Sequence, residues 1–169
     1  MPVIVQPAFY FFGPRLDIAV ITINFAWFIL VWAVPGITRE LTESQSGDKA
    51  GFFAFVLFGI YPLTTMLSHN YLVEFLLVTF ICATIYSLWL LHKNKSKKWS
   101  VISGIFIALG LLTKITFPAF VLPAFFILFY RNTRNSTVWQ ALVLFLHAIL
   151  LAVIFAGAYY VYNLKLLVT

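Results

Sequence analysis

The stretch VISGIFIALGLLTKITFPAFVLPAFFILFY, residues 101–130, holds a single charge, Lys114, inside an otherwise apolar run. An ammonium in hydrocarbon costs at least about 2.5 kcal/mol at a helix centre. The run also contains Pro118 and Pro123, which disfavour one straight helix. Basic loops flank it, Lys93, Lys95, Lys97 and Lys98 on one side and Arg131 and Arg134 on the other. The positive-inside rule places both loops in the cytoplasm, so the run between them must leave and return. Two full crossings need about 40 apolar residues. The pattern therefore predicts a short helical hairpin over 101–130. Its two arms of about 15 residues reach roughly 22 Å each, and its tip lies near TKITFP in the outer half of the membrane.

The rest of the chain fits that frame. Of 169 residues, 63% are hydrophobic and 9% charged, with mean hydropathy +1.00. Soluble domains carry about 25% charged residues, so the composition excludes a soluble globular protein. The net charge of +6 is concentrated between apolar spans and does not point to nucleic acid. Further spans are expected over Asp17–Pro35, Gly51–Leu67, Tyr71–Leu91 and Ala141–Tyr162. They are separated by the polar segment 37–50, the turn Ser68–Asn70 and the basic loops 92–100 and 131–140. The reading is an all-α polytopic membrane protein with about six membrane-embedded helices, forming one transmembrane domain over 1–169. Both termini lie outside, and the expected home is a cell inner membrane. The one cysteine, Cys82, lies in a span and can form no intrachain disulfide. No metal-ligand spacing, phosphate-binding glycine loop or nucleophile elbow is present, and no metal or cofactor is expected. The glycosylation patterns NKS (94–96) and NST (135–137) fall in cytoplasmic loops and are expected to be unused.

Two intramembrane charges, Lys114 and Glu74, are placed by this topology at similar depth near the outer side. Lys114 reads either as an anion site, most simply for a phosphate, or as a lysine snorkelling to headgroups. Gly110, Thr113 and Thr116 add room and hydroxyls, which favours the site. Glu74 reads as a base or a cavity-lining partner, or as one half of a structural ion pair with Lys114, or as a protonated carboxyl. Ser68, His69 and Asn70 read more readily as a plain turn than as a site, and His147 as a packed helix residue.

The segment YPLTTMLSHNYLVEFLLVTFICATIYSLWLL (61–91), the basic loop HKNKSKKW (92–99) and SGIFIALGLLTKITFPAFVLPAFFILFY (103–130) together resemble the GT-C membrane glycosyltransferases. The similarity is to the branch with protein O-mannosyltransferases and bacterial aminoarabinose transferases. Pro62, Ser68, Glu74, Gly104, Gly110, Leu111, Thr113 and Lys114 fill the places of that family's motif, and FGPRLDIAVITINFAWFILVWAV (12–34) is similar to its preceding span. The resemblance implies transfer of a sugar from a polyprenyl-phosphate donor to an acceptor on the extracytoplasmic side. It implies Lys114 as the donor-phosphate residue, with Glu74, Ser68 and Thr113 lining the cavity, and the lipid bilayer and a lipid-linked sugar as partners. The family's acidic loop after a first cytoplasm-derived helix has no counterpart here; Asp17 is the one acidic residue in that region. The expectation is a partial module from a split gene, an internal start or a fragment, inactive alone, with the remaining half of a split glycosyltransferase as one candidate partner. Two other classes are compatible with paired intramembrane charges: a non-catalytic membrane partner, and a transporter or channel subunit.

Overall fold

The computed structural model describes residues 21, 24–42, 47–60, 73–135 and 138–168. Apart from short turns these are helical: α1 (Ala26–Thr42), α2 (Gly47–Ile60), α3 (Val73–Asn94), α4 (Lys97–Thr113), α5 (Phe117–Asn135) and α6 (Val138–Val168). The spans Glu74–Asn94 and Leu142–Val161 are long and apolar enough to cross a membrane, and Phe117–Arg131 is a shorter apolar helix. Two compact units divide the chain, Met1–Tyr86 and Ser87–Thr169.

In the first unit α1 packs on α2 through close backbone approach. Gly47 and Gly51, one turn apart on α2, lie against Arg39 and Pro35 of α1. A Cβ on Gly51 would come within 2.9 Å of the Pro35 carbonyl oxygen. Small residues four apart allow this where lipid removes the hydrophobic incentive to associate. The ring of Tyr86 lies over Gly36, which leaves no room for a side chain there, and Trp32 meets the same ring at a tilt, 4.8 Å between centroids. Of the polar segment 37–50, residues 37–42 and 47–50 are helical. α1 continues through Pro35 and Gly36 to Thr42, and α2 starts at Gly47. Proline is tolerated in apolar-environment helices where local groups satisfy freed carbonyls. Beyond it, Thr38 bonds the Val34 carbonyl and Thr42 that of Thr38. Arg39 and Asp48 pair at 3.2 Å across the facing helix ends, both well exposed, a contact that contributes less than about 1 kcal/mol.

In the second unit the dominant contact is α4 along α6. Ser100, Gly104 and Ala108 recur every four residues on α4, and Ala148, Ala152 and Ala156 on α6; all are buried. A Cβ on Gly104 would sit 2.8 Å from the Ala148 carbonyl oxygen. Ser100 lies beside Leu144 and Gly104 beside Ala148, so the two helices run parallel. The hydroxyl of Ser100 donates to the Leu144 carbonyl (2.6 Å), which leaves its oxygen to accept from Nδ1–H of His147 (3.1 Å). His147 is thus the hydrogen-bonded seam residue, half-buried. α5 runs antiparallel to α6, with Phe125 and Phe129 edge-on to the buried ring of Phe145. The rest of α6 presents Val153, Ile154 and Phe155 outward, as a lipid-facing helix does.

The expected hairpin is present, and its break falls at Lys114–Thr116. Its arms are longer than read from sequence. α4 has 17 residues and α5 has 19, about 25 and 28 Å, close to the about 30 Å hydrocarbon thickness. The basic segments supply the extra length. Loop 92–100 shrinks to a turn at Lys95–Ser96, because α3 runs on to Asn94 and α4 starts at Lys97. Lys95 takes the left-handed conformation (φ 45°), and Ser96 caps α4 by accepting from the Lys98 amide at 3.2 Å. Likewise α5 extends to Asn135 and α6 begins at Val138, inside the segment read as loop 131–140.

Candidate functional site

Lys114 closes α4. Its backbone is extended (φ −157°, ψ 135°), and its N–H donates to the Gly110 carbonyl at 3.2 Å. The carbonyl of Lys114 then accepts from the Phe117 amide, 3.0 Å, and that of Thr116 from Ala119, 3.1 Å. The chain thereby reverses within three residues and α5 starts at Phe117. Pro118 falls in the first turn of α5, where a missing N–H leaves no intrahelical bond unmade. Lys114, Ile115 and Thr116 are exposed, Ile115 to 81%. A positive charge at a helix C-terminus is also favoured by the macrodipole, so α4 holds the lysine at an end that suits it.

Neighbouring residues fix the turn. The buried ring of Phe117 lies on Gly110, where a Cβ would meet it at 2.2 Å. The glycine expected to give a ligand room instead admits an aromatic ring that ties the start of α5 to the end of α4. The hydroxyl of Thr113 is turned into the helix and donates to the Leu109 carbonyl at 2.8 Å; its residue is buried. Thr113 offers lone pairs rather than a donor at this point. Tyr160 of α6 reaches across to donate to the Leu111 carbonyl at 2.8 Å, satisfying one of the carbonyls that a helix end leaves open. Sequence periodicity does not reveal this bond, since it joins residues 49 apart.

An apolar cleft of about 130 Å³ opens beside the turn, lined by Ile107, Leu111, Phe117, Pro118, Val121, Leu122, Phe125 and Ile149. A second, of about 190 Å³, lies further along α5 and α6 between Phe126, Phe129, Leu142, Phe145 and Leu146. Phe125 and Ile149 line both. The first is bordered by Leu111 and Phe117, three residues to either side of Lys114.

Of the other expected site residues, Glu74 is exposed in the first turn of α3, within the first unit; a carboxylate there complements the helix N-terminus. Ser68, His69, Asn70 and Asp17 lie outside the described residues. Among the described residues no three His, Cys, Asp or Glu side chains come together as a metal site would require.

Comparison with known proteins adds one match. No curated protein and no solved structure matches the chain. The family of the dolichyl-phosphate-mannose-protein mannosyltransferases matches over residues 5–160. That range takes in every segment that carries the resemblance seen in the sequence. Its glycosyltransferases use lipid-linked sugar donors. An all-helical chain with membrane-length apolar helices and this match is an integral membrane protein, and it belongs to the dolichyl-phosphate-mannose-protein mannosyltransferase family of the GT-C glycosyltransferase-like superfamily.

Proposed function

We propose that this chain is a multi-pass module of a membrane glycosyltransferase that holds a polyprenyl-phosphate-linked sugar, with Lys114 against the phosphate. The observation that carries the reading is the pairing of an exposed lysine at the end of α4 with an apolar cleft lined by its neighbours Leu111, Phe117 and Pro118. A polyprenyl phosphate has that same division, one anionic head on a long apolar chain. The departing phosphate gains negative charge as the glycosidic bond breaks, and a fixed cation in a water-poor site stabilises that change. The main chain of the reversal and the Tyr160–Leu111 bond limit how far the lysine's backbone can move, which reduces reorganisation in the transition state. Thr113 and Glu74 belong to this reading as cavity-lining residues, and Ser68 with them.

The acceptor hydroxyl also needs a base. From Ser87 onward the sequence contains no aspartate or glutamate, so this reading takes its carboxylate base from Asp17 or Glu74, or from a segment outside this sequence. On the second alternative the chain is inactive alone. This reading takes the basic turn at Lys95–Ser96 as cytoplasmic by the positive-inside rule and Lys114, at the far end of the 17-residue α4, as lying toward the extracytoplasmic side of a cell inner membrane, where transfer would occur.

The test is transfer from a labelled polyprenyl-phosphate sugar in cells complemented with the full chain. Lys114→Met is expected to lower transfer at least about 100-fold, as loss of one transition-state donor does, with the amount of protein in the membrane unchanged. Full activity of Lys114→Met would reduce Lys114 to a snorkelling anchor.

A further inference from the structure

The opposite end of α4 carries a second cationic cluster that donor binding at Lys114 does not use. Lys93 ends α3, Lys95 forms the turn, and Lys97 and Lys98 open α4; all four are exposed. Arg131 joins them from α5. Its guanidinium lies over the ring of Trp89 at 5.6 Å, and Trp89 is one helical turn before Lys93. Lys98 lies 5.9 Å from the Trp99 ring. Trp89 and Trp99 are both half-buried, as tryptophans at the level of lipid headgroups are.

The placement of Lys97 and Lys98 works against the helix. The first turn of α4 contains no acidic residue, and two positive charges there oppose the positive end of the macrodipole. The sequence from Ser87 onward contains no aspartate or glutamate. An anion at this end would meet the lysines, whereas the amides of Lys98, Trp99 and Ser100 are already bonded to Ser96. Being at a membrane surface between two interfacial tryptophans, the site suits a lipid phosphate.

We infer that the α3–α4 turn, with Arg131, is a binding site for anionic phospholipid headgroups of the cytoplasmic leaflet. It is separate from the donor-phosphate site, 16 residues away along α4 from Lys98 to Lys114. Each lysine near an anionic surface adds attraction equal to about a fivefold change in binding. A zwitterionic headgroup, with its own ammonium, gains little.

The experiment is native mass spectrometry of the full chain released from an equimolar mixture of phosphatidylglycerol and phosphatidylcholine. The expected result is preferential retention of phosphatidylglycerol. The preference falls by about fivefold or more in Lys95→Gln/Lys97→Gln/Lys98→Gln and is kept in the charge-preserving Lys95→Arg/Lys97→Arg/Lys98→Arg. Lys114→Gln leaves it in place, so a failed donor site and a failed headgroup site give different results. Equal retention of the two lipids by the wild-type chain would overturn the inference. So would a preference lost in Lys114→Gln but kept in the triple glutamine variant. Displacement of phosphatidylglycerol by millimolar inorganic phosphate would make the cluster a soluble-anion site instead, which also overturns it.

Discussion

At its C-terminal end α4 is closed by Lys114, whose charge complements the terminal carbonyls; at its N-terminal end it opens with Lys97 and Lys98, whose charges oppose the terminal amides. Both ends are cationic and both lie next to aromatic rings, Phe117 at one and Trp89 and Trp99 at the other. They differ in what surrounds the charge. The Lys114 end has one lysine, a chain reversal braced by Phe117 on Gly110 and by Tyr160 on Leu111, and an apolar cleft alongside. The other end has several lysines on a two-residue turn, with indole rings below them. One arrangement suits a single ligand with an anionic head and an apolar tail. The other suits a surface of many anions. On this account the same residue type serves two purposes, and the backbone around it tells them apart.

The comparison fails at once if the two ends do not face opposite sides of the membrane. A cysteine at Ile115 is expected to react with an impermeant thiol reagent in intact cells, and a cysteine at Lys95 to react after the cells are opened. The difference is all or none. Labelling of both from outside would dismantle the topology and the assignment of each end with it.

The two ends are held apart by the α4–α6 seam, and the seam is the next place to strike. Gly104→Leu forces a side chain into the Ala148 backbone. It is expected to destabilise the second unit by about 1–3 kcal/mol, read as a lowered unfolding midpoint in detergent. An unchanged midpoint would mean the helices are not in contact there.

These features differ in how far the sequence discloses them. The hairpin was legible because Lys114, Pro118 and Pro123 interrupt an apolar run between basic segments. Helix ends were not. Residues 37–42, 92–94, 97–100 and 131–135 are polar or basic yet helical, since leaving the hydrocarbon does not end a helix. Such residues extend it until a left-handed residue such as Lys95 or a cap such as Ser96 stops it. At the site, Lys114 could be singled out because a lone charge in an apolar run is costly. Gly110 was misjudged, because a glycine reads alike whether it leaves space or receives a ring. Tyr160 and the Ser100–His147 pair escaped, since bonds between residues 47 or 49 apart leave no local period.

Smaller effects sharpen the contrast end by end. Ser100→Ala removes an acceptor from His147 and a donor from Leu144 near the basic end. It is expected to lower stability by about 0.6–1.7 kcal/mol, the span of interhelical polar contacts in membrane proteins, by the same unfolding measurement. Tyr160→Phe removes one exposed bond at the other end. It is expected to cost about 0.6 kcal/mol while lowering transfer more than that loss of stability alone explains, because it loosens the turn that presents Lys114. A fall in stability with unchanged transfer would make Tyr160 a packing residue.

The most direct test of the central claim is photo-crosslinking of a polyprenyl phosphate bearing a benzophenone near its head, with adducts mapped by mass spectrometry. The account predicts adducts on Leu111, Pro118 and Leu122, competed by unlabelled polyprenyl phosphate and strongly reduced in Lys114→Met. Adducts spread over the lipid-facing residues of α6, or adducts at the cleft that Lys114→Met leaves undiminished, would contradict it.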